Sequence, residues 1–128
     1  MLQRLFLLFF SGSVAIVALI YGVSPQWFAN TFLSTEGALD TDFANILRAI
    51  MGFYLVFAAF WFFAAFSDRL RNIAVLIVAL FTGGMAAGRI LSMLIDGKPS
   101  TILSLYVATE IGTALIAIWL YRRGMKET

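Results

Sequence analysis

The chain has 128 residues, 62% of them hydrophobic and only 12% charged, with a net charge of +2 and neither Cys nor His. Soluble domains are about half apolar and about a quarter charged, so this composition is that of an integral membrane protein. The missing Cys and His remove the usual ligands of structural zinc, iron–sulfur clusters and His-ligated haem, and rule out Ser–His and Cys–His nucleophilic pairs.

A hydrocarbon core about 30 Å thick needs roughly 20 apolar residues at about 1.5 Å rise per residue. Four runs meet that length, at about 5–23, 46–66, 73–95 and 102–121. They predict an all-α membrane four-helix bundle occupying 1–128 as one domain. The first run reads as a retained span: it is long for a signal-peptide core, and no A-x-A-like cleavage site follows it. Between the first two spans lies a longer loop, 24–45. Ser24-Pro25 is a helix-start signal there, and Trp27, Phe28 and Phe32 can share one side of a short interfacial helix. That segment is either a loop packed on the mouth of the bundle or a lid over a pocket. Ser67 or Asp68 can cap the third span, Gly97 can end it, and Ser100 after Pro99 can start the fourth. The short Asp96-Gly97-Lys98-Pro99 turn makes the third and fourth spans antiparallel neighbours. Phe57 to Phe66 is rich in aromatics suited to lipid contact and core filling.

Lys and Arg concentrate in cytoplasmic loops. Arg4, Arg69, Arg71, Arg122, Arg123 and Lys126 fall on one side of the four-span topology, and Glu36, Asp40, Asp42 and Lys98 on the other. Both termini are therefore expected in the cytoplasm. Trp119 and Tyr121 then stand at the inner interface and Trp27 near the outer one.

Ionisable side chains within spans cost several kcal/mol unless paired, hydrated or near an interface. Four lie in the outer half of this topology: Arg48, Arg89, Asp96 and Glu110. Glu110 is the deepest, about eight residues or ~12 Å into its span, and Arg89 lies ~9 Å from the outer end of the third. Arg89, Ser92 and Asp96 share one helix face, and Tyr106, Glu110 and Thr113 share another. Across the short turn these two faces can meet, and Arg48 can join from the second span, with Gly52 one turn deeper allowing close approach. Two Arg and two carboxylates sum to zero charge, as a self-satisfied network requires. The same groups could instead bind a lipid headgroup or small polar ligand through the Arg guanidinium groups, or relay protons through Glu110. Gly84 and Gly88 form a GxxxG element, and Ala108 with Gly112 and Ala18 with Gly22 are further small-residue pairs, expected to pack helices within the bundle.

Leu47-Arg48-Ala49 with Gly52, Gly88-Arg89, the run Asp96-Gly97-Lys98-Pro99-Ser100, and Glu110 together resemble the small bacterial four-helix membrane proteins of domain-of-unknown-function family 4345. The similarity runs over nearly the whole chain. One position departs from it: Met51-Gly52 stands where the family has a Gly-Gly pair. The resemblance implies a multi-pass protein of the bacterial cytoplasmic (inner) membrane and carries no activity with it.

Neither a catalytic residue nor a cofactor or metal is expected. No P-loop or dinucleotide fingerprint occurs, and the basic residues stand at membrane borders without forming a nucleic-acid-binding stripe. The partners expected are the bilayer itself, a lipid or small polar ligand, and a second copy or a larger membrane complex. Alternatives to ligand binding are an accessory or scaffold subunit, a small proton-coupled transporter working through Glu110, and an enzyme of lipid chemistry with Asp96 and Glu110 as acid and base.

Overall fold

In the computed structural model, which describes residues 1–127, the chain folds into five helices and no strand among those residues. Four are long: α1 (Leu2–Gly22), α3 (Thr41–Ala64), α4 (Asp68–Ile95) and α5 (Thr101–Lys126); α2 (Pro25–Phe32) is a short helix between α1 and α3. Each long helix is long and apolar enough to cross a membrane. Most of their apolar surface faces outward, as with Phe9, Phe63, Leu80 and Leu94. Such a distribution would be costly in water and is favourable in hydrocarbon.

The long helices pack as two antiparallel pairs. In the first, Ser11 Oγ donates to the Ala58 carbonyl at 2.8 Å and Arg48 Nη1 donates to the Gly22 carbonyl at 3.1 Å, which lays α1 along α3. Gly22 sits directly on Met51, where a Cβ would collide with the Met51 side chain. In the second pair, Gly83 faces Ala114, and α4 and α5 meet along their length. An aromatic group joins the pairs. The buried Trp61 ring lies 4.8 Å from Phe10, 5.1 Å from Phe81 and 5.4 Å from Phe57 between ring centres. Its Nε1 has no hydrogen-bond partner among the described residues. Phe62 and Phe63 on the same helix, and Phe66 just beyond its end, face outward, so the aromatic-rich stretch both fills the core and supplies exposed rings.

The helix ends follow the sequence signals with two adjustments. Ser67 Oγ accepts from the Leu70 N–H at 3.3 Å and caps α4, and Gly97 takes the left-handed backbone (φ +96°) that ends it. Ser100 occupies the N-cap position of α5 but makes no side-chain cap bond. The second span starts at Thr41, more than a turn before the apolar run, with Asp40 at the N-cap position on the polar side of the boundary.

Pro25 at the first position of α2 confirms the Ser-Pro start signal, and Phe28 is buried against Tyr21 at 4.5 Å. The following segment is held by Gln26, whose Oε1 accepts the Leu39 N–H and whose Nε2 donates to the Gly37 carbonyl. At the other end of the molecule, Gln3 Nε2 donates to Asn72 Oδ1 at 2.7 Å and to the Leu120 carbonyl at 3.0 Å, tying α1, α4 and α5 together.

Candidate functional site

Toward the α4–α5 turn, Arg89 and Glu110 meet. Arg89 Nε donates to both carboxylate oxygens of Glu110, at 3.0 and 3.1 Å. The side chains keep 22% and 12% of their surface, so the pair is largely withdrawn from the surroundings. The short turn makes α4 and α5 antiparallel and brings the two residues to one level, as their spacing predicts. Tyr106, one turn from Glu110, places its ring 5.2 Å from the Arg89 guanidinium carbon.

This ion pair forms part of the wall of a cavity of about 260 Å³ between α1 and α3 on one side and α4 and α5 on the other. Phe10, Val14, Val17, Phe81 and Met85 supply its apolar lining. Tyr21 from α1 and Tyr54 from α3 approach the pair from the opposite wall. Phe9 and Thr109 on the rim are exposed, so the cavity opens sideways between α1 and α5.

Several hydroxyls of the lining are already committed as donors. Ser13 donates to the Phe9 carbonyl, Thr82 to Val78, Thr109 to Tyr106 and Thr113 to Thr109, each within its own helix. Tyr54 donates to the Met85 sulfur at 3.1 Å.

The other expected members of the site lie elsewhere. Arg48 is exposed and binds the Gly22 carbonyl, because its position at the start of α3 faces the end of α1 and not α4. Ser92 and Asp96 share the expected helix face, but Ser92 Oγ donates to Asp96 Oδ2 at 2.8 Å and both residues are exposed. Asp96 is the C-cap residue of α4, beyond the reach of Glu110's helix level. The four ionisable residues therefore do not form one network. The expected helix-packing glycines also differ: a Cβ at Gly52, Gly84, Gly88 or Gly112 would meet nothing within 4 Å. Close approach falls at Gly22, as the Ala18 and Gly22 pair predicts, at Gly124 against Gln3 and Asn72, and, more loosely, at Gly83. No group of three acidic residues suited to a metal ion occurs among the described residues.

The model of the family described as "Domain of unknown function (DUF4345)" matches residues 2–121. The chain belongs to the DUF4345 family. No curated protein and no solved structure matches it. In this DUF4345 member, the motif residues Arg89 and Glu110 are the ones the fold unites, whereas Arg48 and Asp96 cap helix ends. The cavity residues absent from the motif, Tyr21 and Tyr54, carried one sequence signal: a phenol inside an otherwise apolar span needs a polar neighbour for its hydroxyl.

Proposed function

We propose that this DUF4345 chain is a multi-pass protein of the bacterial cytoplasmic membrane that takes the polar end of a lipid-like amphiphile into the cavity beside Arg89 and Glu110. The observation that carries this reading is the position of a charged pair on the wall of an apolar, sideways-opening cavity between two helix pairs. A pair needed only to hold two helices in register has no use for a cavity beside it, whereas a ligand with a polar head and an apolar tail needs both. With both termini cytoplasmic, the opening faces the outer leaflet. The pair also fixes α4 against α5, so binding and structure use the same contact.

Native mass spectrometry of the protein gently extracted from its own membrane tests the reading. A reproducible adduct on the wild type that disappears in Arg89→Ala supports it; a bare wild-type monomer refutes it. A second reading, an accessory subunit of a larger complex, is favoured by the outward-facing Gly84 and Gly88, which allow another helix to approach closely. It predicts a partner protein that co-purifies with the wild type and is lost on Gly88→Leu.

A further inference from the structure

Resting on the ligand-binding reading above, we infer that the amphiphile accepted beside Arg89 has an uncharged head bearing carbonyl acceptors, and not the anionic or zwitterionic head of a phospholipid. The charge balance is the first ground. Arg89 and Glu110 are the only Arg, Lys, Asp or Glu among the cavity's lining residues, and they already neutralise one another. An anionic head would meet the Glu110 carboxylate with no second cation to offset it, and a zwitterionic head could pair both of its charges only by drawing Arg89 and Glu110 apart, in surroundings where unpaired charge is expensive.

Donor geometry is the second ground. Glu110 is held by Arg89 Nε alone, which leaves Nη1 and Nη2 outside the carboxylate contact. The Ser13, Thr82, Thr109 and Thr113 hydroxyls donate within their own helices, and the Tyr54 hydroxyl donates to Met85. The rest of the guanidinium faces the Tyr21 hydroxyl, which in turn meets Tyr106, so the polar patch an entering head would meet is a neutral cluster of guanidinium and phenol donors, suited to an uncharged acceptor such as a carbonyl oxygen.

Size is the third. Sites that enclose whole small molecules run from about 300 to 1,000 Å³. At about 260 Å³ this cavity suits a compact head, with the tail leaving through the opening bounded by Phe9 and Thr109 into the surrounding hydrocarbon. The aromatic faces of Phe10, Tyr54, Phe81 and Tyr106 accept either ester carbonyls or a flat carbonyl-bearing ring.

The test uses the full-length protein in a non-ionic detergent, equilibrated with an equimolar mixture of a diacylglycerol, an isoprenoid quinone, phosphatidylglycerol and phosphatidylethanolamine, and read by native mass spectrometry. The expected result is a 1:1 adduct with one of the two uncharged probes at least about tenfold more abundant than either phospholipid adduct. Which of the two is retained distinguishes ester from ring carbonyls. The paired variant Arg89→Leu/Glu110→Leu leaves no uncompensated charge and is expected to fold; it should lose the uncharged adduct by about tenfold or more. Preferential retention of phosphatidylglycerol or phosphatidylethanolamine, lost in the paired variant, overturns the inference and leaves the cavity as a lipid site. No retained adduct, or one unchanged in the paired variant, overturns the inference and the ligand-binding reading together.

Discussion

At the scale of single residues, the Arg89–Glu110 contact dominates what the site can do and how it can fail. Removing one member leaves the other charged in a poorly solvated place, and such losses cost about 3–5 kcal/mol, whereas replacing both by apolar groups is often neutral. Glu110→Ala should therefore lower the thermal midpoint in detergent, followed by far-UV circular dichroism, while Arg89→Leu/Glu110→Leu should stay near the wild type. If Glu110→Ala unfolds at the wild-type midpoint, water from the cavity solvates Arg89 and the pair holds little of the fold. This contact was legible in the sequence because Arg89 lies six residues before the end of α4 and Glu110 nine residues after the start of α5, across a turn short enough to bring them to comparable depths. The fate of Arg48 and Asp96 was not legible. Asp96 lies at the end of α4 and Arg48 beside the end of α1, where a neighbouring hydroxyl or an unsatisfied carbonyl competes for the charge, and sequence spacing does not rank those partners. Tyr21 and Tyr54 were missed because they reach the pair from helices distant in sequence.

At the scale of elements, the four spans were readable from hydropathy and length, and α2 from its Ser-Pro start. What hydropathy does not fix is the rotation of an apolar helix about its own axis. A span that is apolar all round has no polar face to orient it, so small-residue spacing assigned contacts to Gly84, Gly88 and Gly112 as well as to Gly22, and of these only Gly22 is closely packed; Gly52, expected to allow close approach beside Arg48, also has open space where a Cβ would stand. The close crossing is at Gly22 on Met51. Gly22→Ala should destabilise the chain by about 1–3 kcal/mol through overpacking, and adding Met51→Gly should restore part of the loss by removing the opposing Cβ. Gly84→Ala, by contrast, should hold or gain up to about 1 kcal/mol from helix propensity. A marked loss at Gly84 would mean that a helix from another chain rests there. In the segment after α2, Gln26→Ala removes the acceptor of the Leu39 N–H. A lost hydrogen bond of about 1 kcal/mol should raise hydrogen exchange at that amide about fivefold, with exchange in α1 unchanged.

At the scale of the whole molecule, the charge distribution and the packing argue for the same topology. The end that carries the Gln3–Asn72–Leu120 tie also carries Arg4, whose guanidinium lies 4.5 Å from the Phe66 ring centre, and Arg71, which donates to the Ala65 carbonyl at 3.1 Å. Arg123 reaches over Trp119 at the same end. These cations are thus anchored on aromatic rings and helix-end carbonyls at one border, where an inner-leaflet headgroup layer would place them. The opposite end carries Glu36, Asp40 and Asp42 with α2, and it is toward this end that the Arg89–Glu110 cavity lies. The absence of native Cys makes the orientation directly measurable with single-cysteine variants. In intact cells, Glu36→Cys should react with a membrane-impermeant maleimide, and Lys126→Cys should react only after the membrane is opened. The reverse pattern would turn the chain over and place the cavity opening in the inner leaflet, so a lipid admitted beside Arg89 would be drawn from the cytoplasmic side.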